Sequence, residues 1–475
     1  MSIVDSMLKA SMQNLRAGRR DEAAKLCRDI CRMEPEHARA HSLLGMIEFQ
    51  NGETDRALGL LARAQQLNPN LPDVPRALAE IYLGMDDLDK ALEAQKQAIS
   101  FNPRDPSGHL QAAVILQRLG RPDEAEVEAR DALAHNPNMI GAHQLLGTIT
   151  YLDGRLTEAV DAMGKARASE TPVPDPNHTL ALGLLATGEA DKIEALSPAF
   201  TANQTFGETV VRAISAWIDN QPDRCSDLLA QARPLIPSLP TDAPNRSVFV
   251  TYLNILDELV SWRASHEAHY NGAAERTLFV VGDSHTLTPA NVVLPVDGVP
   301  TRLQTRLVFG CKAWHLIREA PSPYRGGFDL AMTRIPEGET VVAVFGELDC
   351  RLKEGIVRVL RKDPGLDRDT LIDDLVERYV DRLLAKGAER GQTVWFQSPP
   401  MSNINMSLVE DEVRDLFLHV IKRFNDRLRD VTRERGARLI DVNAVTTADD
   451  GQAVRGHYID TNHIRPTALI EAYNS

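Results

Sequence analysis

Arg276-Thr-Leu-Phe-Val-Val-Gly-Asp-Ser-His285 runs a series of β-branched and aromatic residues, Thr277 to Val281, into an abrupt Gly282 and then three polar residues. A short apolar run bounded by a turn signal predicts a buried parallel strand rather than a helix. In open α/β sheets, chemistry collects just past the carboxyl ends of the strands. Ser284 is therefore expected in a loop at the functional edge, with Gly282 allowing a sharp exit from the strand. Taken alone, Gly-Asp-Ser is turn chemistry.

The far end of the chain adds the partners that a reactive serine needs. Tyr458-Ile-Asp-Thr-Asn-His463 sets Asp460 three residues before His463, ahead of Pro466 and a short apolar helix. A nucleophilic hydroxyl requires an imidazole base, and the base requires a carboxylate that fixes its tautomer. With Gly-Asp-Ser after the first strand and Asp-x-x-His near the end, the chain from Arg276 onward resembles the SGNH/GDSL hydrolase superfamily. The resemblance implies Ser284, His463 and Asp460 as a catalytic set needing no cofactor or metal, with the Ser284 and Gly310 N–H groups binding the oxyanion. His285 is open to three readings: a helix start, a substrate contact or a decoy base. A metal held by Asp441, His457 and Asp460 is the faint alternative use of the same loop.

Further strands are expected at Thr305-Arg-Leu-Val-Phe-Gly310, Thr340 to Phe345, Gln392 to Gln397 and Ala437 to Val442. Amphipathic helices are expected at Leu371 to Gly391 and Asp411 to Gly436. The alternation predicts a parallel, doubly wound sheet in a three-layer α/β/α, flavodoxin-like domain. Gly346-Glu-Leu-Asp349 stands where the superfamily has Gly-x-Asn-Asp, so Gly346 and Asp349 match while Leu348 replaces an oxyanion-binding asparagine. Losing one such donor costs ~10²–10³ in turnover. Arg351 and Glu347 are the candidates to compensate, Arg351 by holding an anionic or developing negative group. The competing reading makes Glu347, Asp349 and Arg351 a solvated ion-pair cluster.

The first half carries a different signal. Alanines 23, 57, 91, 125 and 159 are each 34 residues apart, and prolines 35, 69, 103 and 137 keep the same step. Gly18, Gly52, Gly120 and Gly154 precede the alanines by five, with Asp86 in that slot of the third copy. This is the tetratricopeptide (TPR) period, in which paired helices stack into an all-α solenoid with a groove for a protein or peptide. The register loosens at Thr171-Pro-Val-Pro-Asp-Pro176. The expected boundaries are a solenoid over 1–240 (best copies 5–172, degenerate copies and cap 176–240), a connecting helix and linker over 241–272, and the α/β domain over 273–475.

Fifty-three Lys and Arg against 67 Asp and Glu give a net charge of −14, which argues against a nucleic-acid footprint. The N-terminus has no apolar signal core, and no window approaches the ~20 apolar residues of a membrane span. Five cysteines without a pattern fit a reducing compartment, so the cytoplasm is expected, and Cys27 and Cys31 are expected to be small core residues rather than ligands. Two functions follow. One is a Ser-dependent ester hydrolase or acyltransferase, acting by resemblance on an acyl ester or acylated carbohydrate and targeted by its repeats. The other is a non-catalytic repeat scaffold with a degenerate ligand site, which Leu348 favours.

Overall fold

The computed structural model describes residues 2–168, 175, 178–195 and 201–474, so the Thr171–Pro176 interruption lies, Asp175 apart, outside the described residues. It divides into two compact units, Met1–Ile149 and Thr150–Ser475.

The first unit is built of helix pairs: Ile3–Arg16 with Arg20–Met33, Ala38–Gln50 with Thr54–Leu67, Asp73–Gly84 with Leu88–Phe101, and Pro106–Arg118 with Pro122–His135. The 34-residue step has a physical cause at each slot. Ala23, Ala57, Ala91 and Ala125 are completely buried. At Gly45, an added Cβ would lie 3.0 Å from Leu61 and 3.2 Å from the Ala57 carbonyl, so only a small residue lets those helices meet. Gly18, Gly52 and Gly120 have φ of 75°, 86° and 71°, and Asp86 adopts 63° in the same turn. Second helices end at Glu34, Asn68, Asn102 and Asn136, each the residue before a repeat proline and each pushed out of helical geometry (φ −131° to −144°). Cys27 is buried with its Sγ 3.1 Å from Ser11 Oγ, and all five cysteines are free.

The second unit is organised on a six-stranded sheet of β1 (Arg276–Gly282), β2 (Val293–Val296), β3 (Val299–Leu307), β4 (Thr340–Val344), β5 (Thr393–Gln397) and β6 (Leu439–Ile440). Its order is β2-β3-β1-β4-β5-β6, parallel except for the antiparallel β2–β3 edge. Alternate side chains feed two cores. Leu278, Val280, Leu303, Val342 and Val344 pack with residues of helices Ala202–Ile218, Pro222–Ala232, Arg246–Ser265 and Pro466–Asn474. Phe279, Val281, Val341, Ala343, Val394 and Phe396 pack with residues of helices Pro323–Thr333, Arg368–Ala388 and Asp411–Glu434.

One expectation needs adjusting. The strand read as starting at Thr305 begins at Val299 and stops at Leu307, and the proline-bearing stretch before it forms β2. Pro295 faces Pro300 on the sheet's edge, where a missing N–H is tolerated. The division between the two compact units falls at Ile149/Thr150, so the stretch from 176 to 272 lies in the second unit. The stretch read as degenerate repeats and connecting helix supplies, together with helix Pro466–Asn474, one covering layer of the sheet, with Phe206, Trp217, Phe249, Leu253 and Leu256 fully buried against it. Among the described residues, no helix is long and apolar enough to cross a membrane.

Candidate active site

The carboxyl ends of β1, β3 and β4 meet where the chain turns into the loops that carry Ser284, Gly310 and Glu347. Gly282 is required here by proximity rather than by unusual φ. A Cβ on it would stand 2.0 Å from the Val344 carbonyl, so β1 and β4 could not close together. Asp283 then caps a single 3₁₀ turn, Ser284–Leu287, accepting from the His285 N–H at 3.0 Å.

Ser284 and His463, 179 residues apart in sequence, are joined by a 2.8 Å contact between Oγ and Nε2. On the other side of the ring, His463 Nδ1 is 2.8 Å from Asp460 Oδ2, and Asp460 Oδ1 accepts from the His463 N–H at 2.8 Å. Hydroxyl, imidazole and carboxylate thus stand in the order that serine activation needs. The His463-bearing loop is fastened to the serine loop by Thr288 Oγ1, which donates to the Ile464 carbonyl at 3.0 Å. Burial is the largest influence on His463 and drives its pKa down. The Asp460 hydrogen bond resists, and the charge of His285 adds to the fall. Burial works to raise the Asp460 pKa, but the His463 hydrogen bond and two backbone N–H groups outweigh it and hold the carboxyl well below its usual range.

His285 is a second imidazole in the same cluster, stacked on His463 with ring centroids 4.6 Å apart. Its Nδ1 lies 3.1 Å from Asp283 and 3.8 Å from Glu347, and its Nε2 donates to the Asn462 carbonyl at 3.1 Å. Burial opposes its charge, yet Glu347 and Asp283 outweigh that cost and push its pKa up to about 9. The two carboxylates thus favour the charged form of His285, whose ring lies against the base His463.

The remaining predicted residues fall into separate roles. Gly310 sits at φ 66° at the turn after β3, and a Cβ there would meet little, so backbone conformation is what demands glycine. Gly346 (φ 108°) starts the short helix Glu347–Cys350, and its Cα is closed in by Phe424 at 2.7 Å from an added Cβ. Asp349 is turned away from the serine: its oxygens accept from the Ala313 and Trp314 N–H groups at 2.7 and 3.1 Å. Burial raises its pKa to about 7 in spite of those two donors. Arg351 places Nε 2.9 Å from both oxygens of Glu347. This pair is largely buried, not solvated, with only 5% of the Glu347 side chain and 21% of Arg351 exposed. Leu348 is buried and carries no donor. Asp441 and His457 do not join Asp460: Asp441 binds Arg429 and Ser398, and His457 approaches Glu471.

One participant went unread in the sequence. Tyr252, on helix Arg246–Ser265, is buried at the site, stacked on Phe309 at 4.7 Å and 12°. Helix Ala202–Ile218 also reaches the site, since Trp217 Nε1 donates to the Leu287 carbonyl at 2.8 Å.

Two tetratricopeptide-repeat family models match the chain, one over residues 12–72 and 110–172 and the other over 48–114. No curated protein matches it. Among solved structures, MamA is similar at 20% identity over 35% of this chain and 92% of its own, with a TM-score of 0.31. A thermophilic TPR protein of Thermus thermophilus is 26% identical over 34% of this chain and 89% of its own, at 0.29. PilF of Pseudomonas aeruginosa is 13% identical over 50% of this chain and 93% of its own, at 0.35. The N-terminal region is accordingly a helical solenoid of tetratricopeptide repeats, an architecture suited to protein interaction.

Proposed function

We propose that the second unit is a serine-dependent ester hydrolase or acyltransferase and that the repeats are its protein-binding platform. The observation that carries this reading is the hydrogen-bonded chain Ser284–His463–Asp460 at the carboxyl edge of a mostly parallel sheet. The pairing of Gly-Asp-Ser with Asp-x-x-His, similar to that of SGNH/GDSL hydrolases, supports it, and that similarity suggests an acyl ester such as an acylated carbohydrate as substrate.

In this mechanism His463 Nε2 takes the Ser284 proton as Oγ bonds to the acyl carbon, and the carbonyl electrons move onto oxygen. The tetrahedral intermediate collapses, the ester C–O bond breaks, and the imidazolium returns its proton to the leaving alkoxide. Water or an acceptor alcohol then repeats the sequence on the acyl-Ser284 ester, releasing acid or a new ester. Asp460 stays ionised throughout and steadies the imidazolium.

The test uses the full chain with p-nitrophenyl acetate and a fluorophosphonate probe. Wild type should hydrolyse the ester and acquire one adduct at Ser284, and Ser284→Ala should lose both. Removing a triad member leaves little of the rate enhancement, so a fall of ~10⁴ or more is expected. Equal rates for wild type and Ser284→Ala would reject the enzyme. In that case the repeats would remain as a scaffold, supported by a groove of about 660 Å³ in the first unit lined by Arg76, Glu80, Gln95, Gln111 and Val114.

A further inference from the structure

One copy of the repeat departs from the pattern of the others. His41, His109 and His143 share a slot of the 34-residue step, and the Nε2 of each hydrogen-bonds a repeat-proline carbonyl, at 2.9, 3.0 and 2.8 Å. A carbonyl only accepts, so Nε2 carries the hydrogen and the Nδ1 of a neutral ring keeps its lone pair. In His41 and His143 that Nδ1 is buried without a hydrogen-bond partner among the described residues. In His109 it lies 2.7 Å from Glu128 Oε2. A neutral Nδ1 and a carboxylate both accept, so a positive charge belongs between them.

Helix packing does not ask for this carboxylate. In the other copies the slot of Glu128 holds Leu26, Leu60, Ala94 and Ala162. Asp131, one turn further on the same helix, brings a second carboxylate, and the ligand atoms of His109, Glu128 and Asp131 all lie within 4.8 Å of one another. His135 follows on the next turn, its ring centroid 5.9 Å from that of His109, where earlier copies have Met33, Leu67 and Phe101.

We propose that His109, Glu128 and Asp131 form a binding site for a divalent cation of the zinc class, with His135 beside them as the available fourth ligand. The site lies wholly in the first unit and does not rest on the hydrolase reading. Imidazole with carboxylates suits zinc and its neighbours, whereas calcium and magnesium take oxygen ligands. Two carboxylates and a neutral ring offset the 2+ charge. In a tetrahedral site with bonds of about 2.1 Å the ligand atoms stand about 3.4 Å apart, so Nδ1 and Oε2 need to separate by only about 0.7 Å. The Nε2–H bond to the Pro103 carbonyl is the outer contact that orients a ligating imidazole. The cation replaces the proton that otherwise bridges Nδ1 and Glu128, and that proton passes to solvent. Bound there, it ties helix Pro106–Arg118 to helix Pro122–His135 across one hairpin of the array.

The experiment takes the full-length, untagged chain after chelation and titrates it with Zn²⁺ by calorimetry, comparing wild type, Glu128→Ala, Glu128→Gln and His143→Ala. Alanine is the residue of the neighbouring copies at this slot, and glutamine keeps the side-chain shape should alanine disturb the fold. Wild type should bind one Zn²⁺ with an affinity at least ~10²-fold above that of either Glu128 variant, since even an outer contact to a ligand is worth ~10–100-fold. His143→Ala, which removes a histidine of the same slot that has no carboxylate beside it, should bind as wild type does. Saturating Zn²⁺ should also raise the melting temperature of wild type and leave that of Glu128→Ala in place. A wild type that takes up no Zn²⁺ overturns the site and leaves a protonated His109 paired with Glu128. Undiminished binding in the Glu128 variants places the ion elsewhere and overturns it too, as does an equal loss in His143→Ala. Ester turnover plays no part in these readouts, so the hydrolase reading and the metal site fail separately.

Discussion

His463 must be neutral to accept the proton of Ser284, and its surroundings keep it so. Burial lowers its pKa below the ordinary value of 6.5, and the stacked cation of His285 adds to this. A depressed imidazole pKa preserves the basic form into mildly acidic solution. The acid limb of kcat/KM should therefore fall below pH 6.5, with activity lost only as pH drops through the lowered value. His285→Gln removes a positive charge 4.6 Å from the ring and leaves Glu347 and Asp283 less compensated. Both changes favour the His463 imidazolium, so the limb should move to higher pH; a limb that stays in place would separate the two rings functionally. Ser284, Asp460 and His463 were legible because two short motifs state them outright. Tyr252 was not, because it shares the buried face of its helix with Phe249, Leu253, Ile255, Leu256 and Leu259, and nothing in that stripe singles it out. A tyrosine among core residues gives no sign that its ring stacks on the residue before Gly310. The ion-pair reading of Glu347, Asp349 and Arg351 named the Arg351–Glu347 pair but neither its burial nor the two backbone N–H groups that hold Asp349, both of which are set by how β4 exits.

Elements follow local chemistry closely where the signal is periodic. The repeat glycines show why: Gly52 needs φ 86° with nothing near its missing side chain, whereas Gly59 lies exposed inside helix Thr54–Leu67, also with nothing within 4 Å. Gly52→Ala should therefore cost ~1–2 kcal/mol through left-handed strain. Gly59→Ala should gain ~0.5–1 kcal/mol through helix propensity. Urea titrations of the two variants should move the first transition in opposite directions, and a shared direction would contradict the turn geometry. The same period carries a feature that was readable but passed over. His41, His109 and His143 each hydrogen-bond the carbonyl of the repeat proline six residues back, at 2.9, 3.0 and 2.8 Å, and they too lie on the 34-residue step, with Pro75 in the missing slot. The β2–β3 hairpin was also encoded, in Asp297-Gly298, whose φ values of 54° and 78° suit a two-residue turn.

At the scale of the molecule, the sheet needs a layer that its own strand–helix alternation does not supply. Sequence periodicity made the helices before residue 240 look like the tail of the solenoid and Arg246–Ser265 like a connector, since a helix that covers a sheet and one that caps a repeat array show the same apolar stripe. Their packing separates the two: Phe206, Trp217, Phe249, Leu253, Ile255, Leu256 and Leu259 are fully buried in one core with β1, β3 and β4. Each such side chain contributes roughly 1.5–3 kcal/mol by leaving water, so the loss of seven, about 10–20 kcal/mol, is as large as the whole ~5–15 kcal/mol that stabilises a typical domain. A chain of residues 273–475 would expose Leu278, Val280, Leu303, Val342 and Val344 on one face and lose both Tyr252 and the Trp217–Leu287 bond at the site. It should aggregate or bind a hydrophobic dye strongly, without a cooperative unfolding transition and without fluorophosphonate labelling. A chain of residues 140–475, which keeps helix Ile140–Leu152 whole and retains the entire second unit, should unfold cooperatively and label at the rate of the full protein. Should 273–475 instead remain monomeric and label equally fast, the helical layer would be dispensable and Tyr252 with it.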